Sequence, residues 1–156
     1  MSYFRKIQVN NMKLAIATDH NGVNEKKEII SFLTNKGYEV LDLSPDNTPG
    51  DDYPDFASRV CTKILNNEAD LGILVCGTGI GMSIAANKYK GIRCAKVSND
   101  SEAVLAREHN NANVIALSYK VDINSLKLMI EKFVSTPFSN EERHIRRIEK
   151  IGMLEK

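Results

Sequence analysis

The chain has 156 residues, a formal net charge of +1 from 21 Lys and Arg against 20 Asp and Glu, and three cysteines. That length suits a single domain with a substantial core, and the near-neutral charge gives no electrostatic reason to expect a nucleic-acid partner. No apolar run approaches the ~20 residues of a membrane-spanning helix, and the unpaired cysteine spacing argues against a disulfide framework or a zinc site, so a reduced, cytoplasmic protein is expected.

Residues 1–11 lack the apolar stretch of a secretory signal and precede a second methionine, Met12. They are expected to be a poorly ordered extension, which leaves 12–156 as the folded domain. Residues 13–18 (KLAIAT) read as a first strand, ending in Asp19, His20, Asn21 and Gly22. Apolar spacing through Ile29, Ile30 and Leu33 predicts a helix over 23–36, closed by Gly37. A second strand, 39–43, runs into a loop over 44–52 rich in Pro, Asp, Asn and Gly. A helix over 53–66 follows, with Pro54 in its first turn, where a missing N–H costs little.

Residues 71–86 read LGILVCGTGIGMSIAA. An apolar run this short suits a strand buried on both faces of a parallel sheet. Cys76 falls at its end, and Gly77, Thr78, Gly79, Ile80 and Gly81 turn the chain into a helix that the pattern extends through Met82, Ala85, Ala86 and Tyr89 towards Gly91. The remaining elements are a strand at 92–97, a helix at 100–108 leading into His109, Asn110 and Asn111, a strand at 113–117, a helix at 122–134, and a basic helix at 140–151. Alternating strands and helices predict an α/β, Rossmann-like three-layer domain with a five-stranded parallel sheet, right-handed crossovers and an extra C-terminal helix.

In such a fold ligands bind outside the carboxyl ends of the strands. Asp19-His20 and Cys76-Gly77 both fall there. Glycines let backbone amides approach a ligand, and the start of a helix favours negative charge, a thiolate at Cys76 included. The competing reading of Cys76 is a small buried residue at a tight turn, and the stretch alone does not separate the two. Asp19 equally suits a helix cap, and His109 a helix end, where its charge meets the dipole. Arg143 and Arg147 are i, i+4 neighbours able to grip a phosphate; the plain alternative is a solvated face paired with Glu141, Glu142 and Glu149. Cys61 and Cys94 read as structural. His20, His109 and His144 match no metal-ligand spacing, so no metal is expected. The glycine pattern is neither a dinucleotide fingerprint nor a nucleotide P-loop.

Five segments, in order, resemble one family: ATDHNG at 17–22, DYPDFA at 52–57, ADLGILVCGTGIGMSIAANKYKGIRCA at 69–95, AREHNNANVIAL at 106–117 and ERHIRRIEKI at 142–151. The chain resembles ribose-5-phosphate isomerase type B and its relatives, the galactose-6-phosphate and allose-6-phosphate isomerases. The resemblance implies a metal-free, cofactor-free aldose–ketose isomerase of the pentose phosphate pathway, working through an enediolate. It implies Cys76 as the base between C1 and C2, Thr78 tuning the thiol, and the amides of Gly77, Thr78, Gly79, Ile80 and Gly81 stabilising the enediolate. His109, assisted by Asp19, would open the sugar ring, Asn110 would hold its hydroxyls, and Tyr53 would wall the pocket. Arg143 and Arg147 would bind phosphate, with His20 near that end. The family's Gly-x-Arg after the fifth strand is here Ser118-Tyr119-Lys120, so Lys120 brings charge without a bidentate fork. A homodimer or homotetramer with pockets shared between subunits is implied. The alternatives are a galactose-6-phosphate or allose-6-phosphate isomerase and, outside enzymes, a nucleotide- or phosphate-binding module.

Overall fold

The computed structural model describes residues 12–155; the extension at 1–11 lies outside them. Five strands form one parallel sheet: β1 (Lys13–Thr18), β2 (Glu39–Asp42), β3 (Leu71–Cys76), β4 (Cys94–Lys96) and β5 (Val114–Ser118), in the order β2-β1-β3-β5-β4. Six helices accompany them: α1 (Val23–Asn35), α2 (Tyr53–Leu65), α3 (Ile80–Ala86), α4 (Asp100–Glu108), α5 (Ile123–Ser135) and α6 (Glu142–Met153). The expected α/β architecture with a five-stranded parallel sheet and a C-terminal helix is therefore present.

The sheet separates two cores. One face carries Leu14, Ile16, Ile73, Ile115 and Leu117 against Ile29 and Leu33 of α1 and Leu126, Met129, Ile130 and Phe133 of α5. The other carries Ala15, Ala17, Leu74 and Ala116 against Phe56, Val60 and Ile64 of α2 and Met82 of α3. β3 is buried along its whole length, as its unbroken apolar run requires. Small residues face α2 because helix and sheet approach closely there: a Cβ on Gly72 would lie 2.5 Å from Val60.

Three elements, α3, β4 and α6, depart from their expected bounds by two residues or more. α3 ends at Ala86 instead of continuing towards Gly91. The side chain of Asn87 leaves the helical path and pairs with the outer edge of β4, accepting from Cys94 N at 2.8 Å and donating to Cys94 O at 2.9 Å. This side-chain amide caps an exposed strand edge, and β4 keeps only three residues of the expected six. α6 begins at Glu142, because Asn140 adopts φ +58° and interrupts the helical path.

Candidate active site

The carboxyl edge of the sheet gathers the ends of β1, β3 and β5. Cys76 ends β3, is buried, and its Sγ accepts a hydrogen bond from Gly79 N at 3.1 Å. That bond needs the chain to reverse within three residues, and Gly79 does so at φ +80°. A side chain there would meet the backbone of Leu117 and Ala116 at 3.1–3.3 Å. The loop is also tied to β5: Ser118 Oγ donates to Gly77 O at 2.7 Å, and Tyr119 N donates to Cys76 O at 3.0 Å. Ser118 keeps negative φ, so a residue with a Cβ fits the backbone there, and its hydroxyl gains a partner. Lys120, just beyond, is exposed on the same edge.

Thr78 is turned onto its own loop, where its Oγ1 accepts from Ile80 N at 3.1 Å. The amides of Gly79 and Ile80 are thus engaged inside the loop. Gly81, in the first turn of α3 where N–H groups lack intrahelical acceptors, lies under the ring of Tyr53: an added Cβ would come 2.4 Å from Tyr53 Cζ. Tyr53 therefore covers the start of α3 at this edge. Asp19 is buried and caps the short turn at His20–Gly22, its carboxylate accepting from Asn21 N at 3.0 Å and Asn21 Nδ2 at 3.2 Å. His20 is exposed and held by Asp51 of the β2–α2 loop, a residue that sequence reasoning passed over inside a generic turn.

His109 and Asn110 lie elsewhere. α4 leaves the carboxyl end of β4 and runs back, so its far end meets the opposite edge of the sheet. There Arg93, just before β4, donates to the carbonyls of Asn110 at 3.1 Å and Asn111 at 2.9 Å. Arg107 donates to Asn111 Oδ1 at 2.9 Å and Ala112 O at 2.6 Å. These two guanidiniums pin the turn that carries His109 and Asn110. Burial, and then the nearby charge of Arg93, lowers the Arg107 pKa to about 10. The His109 ring stacks on His144 of α6 at 4.4 Å between centroids. The buried His144 shares a 2.8 Å hydrogen bond with Ser139. Burial and then His109 lower its pKa, which favours a neutral ring. Arg143 and Arg147 sit on α6, both exposed; Arg143 pairs with Glu141 at 2.9 Å, as the solvated-face reading expects of it. A cleft of about 790 Å³ opens at this amino edge, lined by Asn87, Lys90, Arg93, Asn110, Ile151 and Leu154 among others; Cys76 is not part of it.

The candidates thus divide. Asp19, His20, Tyr53, Cys76, the glycine loop and Lys120 share one edge; His109, Asn110, Arg143 and Arg147 share the other. β3 has six residues, so the edges stand about 20 Å apart. Residue spacing by itself does not say which residues fall in which set. Cys61 and Cys94 have thiols pushed up to about 12, chiefly by burial, which suits structural residues. Among the described residues no three His, Cys, Asp or Glu gather as a metal site. No helix among them is long and apolar enough to cross a membrane.

A buried cysteine is thus cradled by a glycine loop at the end of a central parallel strand, with the polar residues split between two edges. Residues 14–151 match the ribose/galactose isomerase family model. The chain belongs to that family. It is 46% identical over 145 residues to the probable ribose-5-phosphate isomerase B of Mycoplasma genitalium, covering 90% of this chain and 94% of that one. The structure of ribose-5-phosphate isomerase B from Clostridium thermocellum superposes with a TM-score of 0.88 at 42% identity, covering 92% of this chain and 97% of that one. The Mycoplasma genitalium enzyme with bound ribulose 5-phosphate gives 0.86 at 43% identity, covering 91% and 95%. In this chain the sheet is flanked by helices on both faces, and the Cys76 loop lies at its centre.

Proposed function

We propose that this chain is a ribose-5-phosphate isomerase of type B, interconverting D-ribose 5-phosphate and D-ribulose 5-phosphate. The observation that carries the reading is Cys76 Sγ at the end of the central strand, accepting the Gly79 amide at 3.1 Å. A cysteine acts as a base in its thiolate form, and the loop places this sulfur at the ligand-binding edge of the sheet. Family membership and the relative with bound ribulose 5-phosphate support the same substrate.

In this reading the Cys76 thiolate takes the proton from C2 of the open-chain aldose. The electron pair moves into the C1–C2 bond and onto O1, giving an enediolate. The proton returns to C1, O2 becomes the ketone, and the hydroxyl proton passes to O1. Charge develops on the sugar oxygens, so amides aimed at them lower the barrier. The Gly79 amide already serves sulfur and the Ile80 amide serves Thr78, which leaves the amides of Gly77, Thr78 and Gly81 for that task. His109 opens the furanose ring, Asn110 holds sugar hydroxyls, and Arg143, Arg147, Lys120 and His20 receive the phosphate.

These groups can meet only if a second copy supplies the amino edge. A homodimer or larger homomer with shared pockets is therefore part of the proposal. Exposed apolar residues support it at both edges: Ile80 and Ile84 on α3, and Ile151, Met153 and Leu154 on α6. A cytoplasmic setting fits the free thiols.

The test is direct assay of ribulose 5-phosphate formed from ribose 5-phosphate with EDTA present, beside galactose 6-phosphate and allose 6-phosphate. Turnover is expected on the five-carbon sugar, unchanged by chelator and abolished in Cys76→Ala with binding retained. Full activity in Cys76→Ala removes the cysteine from the base role. Faster turnover of a six-carbon sugar reassigns the substrate.

A further inference from the structure

The loop over 44–52 approaches the carboxyl edge from β2, and its Asp51 carboxylate gathers four donors. Oδ1 accepts from His20 N at 2.8 Å and faces His20 Nδ1 at 3.1 Å. Oδ2 accepts from Asn47 Nδ2 at 2.9 Å and from Thr48 N at 3.1 Å. Asn47 Nδ2 also donates to Thr18 O at 2.9 Å, which locks the loop to the end of β1. The Asp51 side chain is only 10% exposed. Burial opposes its ionisation, yet the hydrogen bonds from Asn47, His20 and Thr48 outweigh burial and hold the carboxyl below its ordinary range.

This arrangement settles which nitrogen of His20 carries a proton. An ionised carboxylate only accepts, so the ring nitrogen facing Oδ1 must donate, and it is Nδ1–H. Nε2 is then the atom left for a ligand. Other charged groups nearby have their own roles. Asp19, on the segment of His20, is spent on Asn21. Arg59 of α2, whose charge interacts with Asp51, forms its ion pair with Asp46 at 2.6 Å.

We propose that Asp51 is a positioning residue: it holds the His20 imidazole by Nδ1–H and presents Nε2 to the phosphate of the sugar substrate. Bridging the Asp51 carboxylate and a phosphate takes a hydrogen on each ring nitrogen, Nδ1–H to the carboxylate and Nε2–H to the phosphate, so the ring binds the phosphate as imidazolium. The inference rests on the proposed isomerase reading, in which His20 lies at the phosphate end of the pocket. Asparagine cannot replace the aspartate, because its amide would set donors against either His20 or the loop.

The experiment is a double-mutant cycle on the full-length protein, Asp51→Asn and His20→Ala, with KM and kcat for ribose 5-phosphate. Asp51→Asn is expected to raise KM about tenfold, the weight of one charge-assisted hydrogen bond, with kcat within about twofold. In the His20→Ala background it is expected to add nothing. An equal rise in that background, or no rise in the wild-type background, overturns the proposal, since Asp51 then serves only its loop or nothing. The second measurement needs no turnover: nitrogen-resolved NMR of His20 in the free protein, then with inorganic phosphate. Nδ1–H in the wild type, lost in Asp51→Asn, with phosphate perturbing Nε2 only in the wild type, supports the proposal. A His20 ring unaffected by the substitution overturns it. A wild-type chain inactive on ribose 5-phosphate defeats the isomerase reading and leaves this readout to decide the role of Asp51.

Discussion

If each pocket takes Cys76 from one chain and His109 from another, two inactive variants can rescue each other. On the proposed mechanism Cys76→Ala lacks the base and His109→Ala lacks the acid. In a mixed dimer one pocket combines both lesions and is dead. The other combines an intact Cys76 with an intact His109. Within one chain the two residues stand at opposite edges of the sheet, about 20 Å apart given six residues in β3. A C2 dimer has two equivalent pockets. Random reassembly of equal amounts makes half the dimers mixed, each with one live pocket in two, so about a quarter of wild-type activity is expected. The assay is ribulose 5-phosphate formation after the variants are mixed, dissociated with mild denaturant and reassembled, with subunit exchange followed by mass on a tagged chain. Each variant alone, treated in the same way, gives the baseline. Recovery well above that baseline supports the shared pocket. Demonstrated exchange with no recovery refutes it, and a chain active as an isolated monomer would refute it outright.

Gly79→Ala places a Cβ at φ +80° and within 3.1–3.3 Å of the Leu117 and Ala116 backbone. The left-handed conformation alone costs about 1–2 kcal/mol. The crowding adds to it, so Tm is expected to fall by roughly 4–8 °C for a loss near 2 kcal/mol. Moving the amide from Cys76 Sγ lowers kcat as well; an unchanged Tm and kcat would mean the loop relaxes freely. His144 has its folded pKa lowered, first by burial and then by His109. Its stabilising contribution is therefore complete above the unfolded value of about 6.5 and is lost as pH falls through the folded value. Thermal unfolding from pH 7.5 downwards should show this loss beginning below about 6.5 and weakening in His144→Gln; an identical pH dependence in the variant would assign the effect to other groups.

The element plan was legible in the sequence because each signal is local. The unbroken apolar run at 71–75 demands burial on both faces, Pro54 marks the first turn of α2, and Gly37 closes α1 at φ +95°. The place of Cys76 was legible for the same reason, since a strand end and a glycine turn adjoin it in the chain. Asp51 was not: its meaning comes from His20, 31 residues away, and nothing in a polar loop distinguishes the one carboxylate that folds onto a histidine. Nor was Arg93 visible as a pin of the His109 turn, because its partners there are backbone carbonyls 17 and 18 residues away.

By itself the sequence determined the strand and helix periodicity, the parallel sheet and the residue types able to move a proton and bind a phosphate, all consequences of side-chain spacing. Only the tertiary structure decided which of those residues share an edge. Every crossover helix must run back against its strand, so a residue at the start of a helix and one at its end stand at opposite edges. That reversal puts Cys76 and His109 on opposite sides of the sheet.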